Sequence, residues 1–376
     1  MRFETHKISD LIDEISMGPF GSNIKVECFV AEGIPVLNGS NLEGYKLVED
    51  TFRYVTEEKA DSLGKANAHR GDIVITHRGT LGQIVYIPLN SKHDRYVISQ
   101  SQFRVKCNSK VLPEYLVYYF HTREGQYKLL SNASQVGVPA LARASTTFQK
   151  IEVPIPAVEE QKRVVAILDA LQNKLELNNA INHNLQQQAL AIYRELSKGE
   201  PTHCLGDLIV EMPKSKIKVG DAKDIKGEYP FFTSGKAVLA YPNALVSGRK
   251  IYLNTGGNAD VKFYIGDAAY STDTWCIEGR TWSTDYLYLA LVDLLPEIEQ
   301  TCFEGSALRH LQKGKLKSLP VYIPTTEERT SLLFAVKALL DQQSRNIQEN
   351  KRMAALRDTL LPKLMNGEID VSDVEV

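Results

Sequence analysis

The sequence predicts an α+β fold: two domains of mixed α/β structure, related by a pseudo-twofold repeat and separated by two long helices that pair as an antiparallel coiled coil. Three observations predict it. The chain repeats itself at a constant offset, and each copy carries one long stretch with heptad spacing. The region before each stretch alternates short apolar runs with glycine loops.

In the repeat, residues 137–200 lie on residues 305–368 at an offset of 168, without a gap. Val153-Pro154-Ile155-Pro156 falls on Val321-Tyr322-Ile323-Pro324, Glu159-Glu160 on Glu327-Glu328, and Gly199-Glu200 on Gly367-Glu368. Upstream the match continues with insertions. Ile8-Ser9-Asp10-Leu11-Ile12 resembles Leu205-Gly206-Asp207-Leu208-Ile209 at an offset of 197, and Gly71-Asp72-Ile73-Val74-Ile75 resembles Arg249-Lys250-Ile251-Tyr252-Leu253. The shrinking offset leaves the first copy about thirty residues longer. The expected division is a mixed domain at 1–155, a helix at 156–199, a second mixed domain at 200–322, and a helix with a tail at 323–376.

Residues 157–198 contain no proline or glycine. Apolar positions recur at Val164, Leu168, Leu171, Leu175, Leu185, Ala189, Ile192 and Leu196, in steps of four and three except across a central gap. That is the seam of a coiled coil. Pro156 and Glu159-Glu160 suit a helix start, where the dipole is positive. The second stretch opens on Thr325 with Glu328 three residues on, the spacing of a capping box. Gly199 and Gly367 close the two helices. At 1.5 Å per residue each is roughly 55–60 Å long.

Continuing the spacing through the gap lands on Asn178 and Asn182 in the first helix, and on Asn346 and Asn350 in the second. In an antiparallel pair these polar residues meet at the pseudo-twofold axis, and a slip would bury an unpaired amide against leucine. The predicted seam therefore runs through Leu171, Leu175, Asn178, Asn182, Leu339, Asn346, Asn350 and Met353. A competing placement puts the asparagines on a solvated flank and fills the core with Ile181 and Ile347. Apolar positions off the seam (Ile167, Ile181, Tyr193, Leu333, Leu340 and Leu356) either dock a partner or pack against their own domain.

In the domains, Gly71-Asp72-Ile73-Val74-Ile75-Thr76 and Gln83-Ile84-Val85-Tyr86-Ile87 read as neighbouring strands around the glycine loop 77–82. The second copy has Ile251-Tyr252-Leu253, the loop 254–258, and Val261-Lys262-Phe263-Tyr264-Ile265. Loops of Gly, Asn, Thr, Arg and Lys offer donors and acceptors suited to base edges and phosphates, although each taken singly also suits an ordinary turn. The candidates are Ser22, Asn23, Lys25, Ser40, Asn41, His77, Arg78, Thr80, Gln100 and Gln102 in the first copy. In the second they are Ser234, Lys236, Asn254, Asn258, Thr272, Thr274, Arg309 and Lys313. These tips differ between copies while the helices match, which implies two different half-sites.

Composition narrows the class. Hydrophobic residues make up 43% and charged residues 24% of 376, which is globular. No run is long enough for a membrane span, and the start lacks a signal pattern, so a cytoplasmic protein is expected. Five scattered cysteines (Cys28, Cys107, Cys204, Cys276, Cys302) suggest reduced thiols rather than zinc or disulfides. A net charge of −2 argues against generic polyanion binding, though it leaves local basic patches open. No catalytic motif is found: the amino-methyltransferase tetrapeptide, GxxxxGK[ST], HExxH and GxSxG are absent, and Gly314-Lys315 is followed by Leu316. A non-catalytic chain without a metal is expected.

This constellation resembles the specificity (S) subunit of type I restriction-modification systems. The resemblance rests on Pro154-Ile155-Pro156-Ala157-Val158-Glu159-Glu160-Gln161 at the first helix start and on the run from Gly71 to Gly82. It rests also on the ending Leu360-Leu361-Pro362-Lys363-Leu364-Met365-Asn366-Gly367-Glu368, and it covers essentially the whole chain. At the second helix start, Thr325-Thr326 and Arg329 depart from the proline-rich, glutamine-bearing pattern. The resemblance implies two target-recognition domains, each reading one half of a bipartite, asymmetric site on double-stranded DNA, with the helices setting the gap. It implies two methyltransferase (M) subunits and restriction (R) subunits as partners, and no membrane. S-adenosylmethionine, ATP and Mg would bind those partners, leaving no cofactor on this chain. Heads meeting major-groove faces about one turn (roughly 34 Å) apart would leave an unread spacer of about five to eight base pairs. Two other readings stay open: a recognition subunit of a methylation-only or related phage-defence system, and a coiled-coil scaffold with no DNA role.

Overall fold

The computed structural model describes the chain except residues 20, 135–136, 281–282, 307 and 375–376, and except the side chain of Ser22. By compactness the chain forms two units, 1–173 with 353–376, and 174–352. The division falls inside both long helices, Val158–Leu196 and Thr326–Met365.

The first unit is built on an antiparallel sheet with the strand order Ile12–Met17, Gln102–Cys107, Ile73–Thr76, Ile84–Tyr86. Side chains alternate along a strand, so a sheet covered on both faces needs apolar residues at successive positions. Ile73-Val74-Ile75 supplies them. Ile73 and Ile75 face the main core with Phe103 and Val105, and Val74 faces a second core with Val85, Ile87 and Tyr96. Helix Pro113–His121 covers the first face with Tyr115 to Phe120, all buried, and Pro113 opens it where a missing N–H costs nothing. Near the second core lies another sheet, ordered Arg53–Val55, Ile34–Val36, Arg95–Val97, Asn67–His69, in which only the Ile34–Val36 and Arg95–Val97 pairing is parallel.

The second unit repeats this plan. Its sheet runs Ile209–Glu211, Thr274–Gly279, Arg249–Asn254, Val261–Ile265. Ile251 and Leu253 face the main core and Tyr252 the smaller one. Helix Thr284–Asp293 covers it with Tyr286 to Leu291. The companion sheet has three strands, Val238–Tyr241, Tyr229–Phe232 and Ala269–Tyr270, again with one parallel pairing. The strand missing here is the counterpart of Asn67–His69. In the first copy that strand and helix Glu57–Ser62 lie where the offset drops from 197 to 178, so they account for part of the extra chain.

The structure corrects the gapless offset of 168 near its start. Leu141 and Leu311 are equivalent, because each donates its amide to the carbonyl that opens the glycine loop: His77 at 2.9 Å and Thr255 at 3.1 Å. The offset is therefore 170 there, and two residues drop out before the helices.

Each long helix joins both cores. Val164 and Leu168 pack with Leu361 and Leu364 in the first unit, and Ala189, Leu190 and Tyr193 with Leu332, Val336 and Leu340 in the second. The first turn of the first helix is held by Gln161, which is fully buried. Its carboxamide accepts the Leu112 amide at 2.8 Å and donates to the Lys110 and Pro156 carbonyls, both at 2.9 Å. At the second start the Thr325 amide donates to Glu328 at 2.7 Å, and the return bond to Thr325 Oγ1 is longer, 3.5 Å.

Candidate nucleic-acid interface

In the first unit four loops gather at one end of the main sheet. The His77 amide donates to Ser101 O and the Gly79 amide to Pro139 O, both at 2.8 Å. Gln83 Nε2 donates to Gly39 O at 2.9 Å, and Gln102 Nε2 to Asn38 O at 3.3 Å. The glycine loop turns through positive φ at Gly79 (91°) and Gly82 (88°), which only glycine adopts freely.

On this tip Asn23, Lys25, Ser40, Arg78, Thr80 and Gln100 are exposed. Phe20 and the Ser22 side chain, both on the predicted tip 18–23, lie outside the described residues. His77 is half-buried and shares its Nε2 with Gln100 O at 3.1 Å. Burial lowers its pKa below the ordinary histidine value, which favours the neutral ring. The structure turns two candidates inward. Asn41 is 1% exposed: its Nδ2 donates to Val48 O at 2.9 Å and to Thr51 O at 3.2 Å, while its Oδ1 accepts the Asn38 amide. Gln102, 0% exposed, accepts the Ser99 amide at 2.9 Å. Short polar side chains in turns bind their own backbone, so both stiffen the tip from behind.

The second unit gathers equivalent loops. Thr255 donates its amide (3.1 Å) and its hydroxyl (2.7 Å) to Asp273 O, which also takes the Ser234 hydroxyl. The Gly257 amide donates to Arg309 O at 2.9 Å, matching Gly79 with Pro139. Lys236 and Asn258 are exposed, and Ser234 and Thr272 half-buried. Asn254 and Thr274 are buried: Asn254 donates to Asn258 O at 3.2 Å, and Thr274 to Phe232 O at 3.1 Å. Arg309 and Lys313 are already neutralised. Arg309 pairs with Glu299, while Lys313 lies 3.0 Å from Glu211 and 4.4 Å from the Trp275 ring centre. The hydrogen bond from Lys317, with help from Lys313 and Trp275, holds the Glu211 carboxyl down at about 2.

Sequence reasoning missed two sets of cations. Arg143 is exposed at the end of the small hairpin, with a left-handed backbone (φ 47°) rare outside glycine. No sequence signal marks it. Lys214, Lys216, Lys218, Lys223 and Lys226 are exposed in the segment before Tyr229–Phe232, and their spacing was readable. None of these cations forms an ion pair among the described residues.

The asparagines of the long helices all lie in the second unit and face each other. Asn178 Nδ2 donates to Asn350 Oδ1 at 2.8 Å, and Asn346 Nδ2 to Asn182 Oδ1 at 2.9 Å. Advancing four residues on one helix retreats four on the other, so the helices run antiparallel. The repeat maps Asn178 on Asn346 and Asn182 on Asn350, so the two bonds are images of one another. Around them symmetry lapses: Asn178 also donates to Glu349 at 2.8 Å, and Asn350 donates to Asn179 at 2.8 Å. Leu175 is buried beside this layer, and Leu171, Leu339 and Met353 are half-buried. Ile181 and Ile347 are 38% and 40% exposed, so they do not fill the core in place of the amides. Of the other off-seam positions, Tyr193 and Leu340 are buried in their own unit, Ile167 and Leu333 are half-buried, and Leu356 is exposed. Tyr193 and Leu340 are thus core residues rather than docking surface.

Among the described residues no three His, Cys, Asp or Glu come together to hold a metal, and no helix is long and apolar enough to cross a membrane. The fold and its tips define a two-headed chain: one mixed domain used twice, with unlike polar loops on a common frame. Comparison with known proteins places that class. The model of the type I restriction modification DNA specificity domain matches residues 7–187 and 202–350, and the chain belongs to that family. It is 22% identical over 423 residues to the type I restriction enzyme MjaIX specificity subunit of Methanocaldococcus jannaschii, covering 99% of this chain and 94% of that one. It is 27% identical over 169 residues to the EcoDI specificity subunit of Escherichia coli, covering 44% of this chain and 37% of that one. Its fold is shared with the crystal structure of the type I restriction-modification S subunit from M. genitalium: TM-score 0.60, 14% identity, 97% and 96% of the two chains covered.

Proposed function

We propose that the chain reads the two halves of a bipartite, asymmetric sequence in double-stranded DNA, one with each tip, and that the paired helices set the unread gap. The observation that carries this is the same loop cluster built twice, on equivalent sheets, with different exposed residues: Arg78, Thr80 and Gln100 on one, Lys236 and Asn258 on the other. An exposed arginine fits the paired acceptors of guanine, and a glutamine or asparagine amide fits adenine. Stiff tips supported from behind by Asn41, Gln102, Asn254 and Thr274 present these groups at fixed angles, which reduces the ordering cost of binding.

In this proposal the chain contributes no catalytic group. It works in the cytoplasm as the scaffold for two methyltransferase subunits and for restriction subunits, which bind S-adenosylmethionine, ATP and Mg. The spacer expected from one turn between reading faces is about five to eight base pairs. The test is methylome sequencing of the host with and without this gene. A split, asymmetric methylated motif that vanishes on deletion supports the proposal, and a methylome unchanged by deletion overturns it.

A further inference from the structure

A chain of net charge −2 must still hold a polyanion, so exposed cations without internal partners are worth locating. Their densest run is the segment between strands Ile209–Glu211 and Tyr229–Phe232. It carries Lys214, Lys216, Lys218, Lys223 and Lys226 against Asp221, Asp224 and Glu228. Asp221 is partly occupied, accepting the Lys218 amide at 3.3 Å.

The first five residues of this run alternate. Lys214, Lys216 and Lys218 are exposed, while Ser215 is buried and Ile217 packs against Ala222, Phe231 and Ala269. With Ser215 buried, its Oγ accepting the Ile217 amide at 3.1 Å, and Ile217 half-buried, Lys214, Lys216 and Lys218 are left as a row on the solvent side of this segment. That row is fastened to the second tip. The Thr272 amide donates to Ile217 O at 2.9 Å, and the Tyr270 hydroxyl to Pro213 O. In the first copy the corresponding stretch, residues 18–33, has the single lysine Lys25 with Glu27 and Glu32, and so no such row.

We propose that Lys214, Lys216 and Lys218 form a phosphate-gripping rail beside the second tip, so that the second unit supplies most of the sequence-independent, salt-sensitive hold on the duplex. This rests on the DNA-reading role above and adds a division of labour to it. A lysine is a point charge on a flexible stem, suited to phosphate and poor at fixing a base, so the rail positions the duplex and leaves sequence to the tip loops.

The test uses the full chain in the complex purified from its host. Its affinity is measured for a duplex bearing the motif found by methylome sequencing and for a shuffled duplex, across a series of salt concentrations. Each phosphate contact contributes about 0.9 to the slope of log affinity against log salt, so Lys214→Gln/Lys216→Gln/Lys218→Gln should flatten it by about 2.7. The methylated motif should keep its sequence, and the triple Lys→Arg variant should keep the wild-type slope. An unchanged slope in the glutamine variant, or an equal loss in the arginine variant, overturns the rail while leaving the DNA-reading role intact. A wild-type complex that binds neither duplex overturns both.

Discussion

Replacing Asn346 by leucine probes the helix register at a buried cross-helix hydrogen bond. The Asn346 amide is the cross-helix donor to Asn182 Oδ1, and Asn182 is only 9% exposed, so water can barely replace it. An orphaned buried acceptor costs about 1–3 kcal/mol. Asn178→Leu similarly strips Asn350 Oδ1 of its donor, but Asn350 is half-exposed and Glu349 keeps Lys174 at 3.3 Å, so its cost lies nearer about 1 kcal/mol. Together the two substitutions should destabilise the second unit by roughly 2–4 kcal/mol, or about 4–16 °C in midpoint for a unit of this size. Changing all four asparagines to leucine removes the orphans and should restore most of the stability while loosening the register, since an all-apolar seam no longer penalises slippage. Thermal unfolding followed by circular dichroism measures the first effect, and size-exclusion chromatography the second. A double variant melting with the wild type would refute the account of the asparagine layer, as would a quadruple variant melting below the double.

Three further outcomes are expected. Burial lowers the pKa of His121, whose ring donates to Ile84 O at 2.9 Å, as it does that of His77. The fold therefore favours the neutral rings: their contribution is complete above about pH 6.5, the unfolded value, and is lost as pH falls below it. His121→Gln, which keeps a donor to Ile84 O, should flatten the fall in melting midpoint between about pH 7.5 and 5.5; an unchanged fall would contradict it. Gly79→Ala meets no atom within 4 Å but must hold φ at 91°, so it should cost about 1 kcal/mol or more and weaken methylation without abolishing folding. Full methylation in that variant would show that the loop geometry is unimportant. Exchanging residues 1–155 for the first domain of another family member should alter one half of the methylated motif, and a change in both halves would count against independent heads.

Much of this architecture was legible in the sequence because it is written in periodicity. Heptad steps, cap chemistry and the constant offset exposed both helices, and the central gap in the leucine pattern pointed to the four asparagines. The strands Ile73–Thr76 and Arg249–Asn254 were visible through their short apolar runs Ile73-Val74-Ile75 and Ile251-Tyr252-Leu253, as burial on both faces requires. The tips were harder to read, because a polar residue in a loop gives no sign of whether it turns outward or binds its own backbone. Asn41 and Arg78 look equally suited to DNA in sequence, yet one is spent on Val48 and Thr51 carbonyls and the other is exposed. Arg309 and Lys313 likewise read as free cations until the fold brings Glu299 beside the one and Glu211, far off in sequence, beside the other. The left-handed turn at Arg143 depends on the hairpin around it and leaves no local trace.

In the proposed function the paired helices hold two unlike reading heads at a set separation. Seven residues of heptad pattern can be inserted into both long helices at facing positions beyond the asparagine layers, which restores the same helical face and adds about 10 Å. Methylome sequencing of that variant should show both half-sites unchanged and the gap between them longer by about three base pairs. A gap of unaltered length with intact half-sites would contradict the claim.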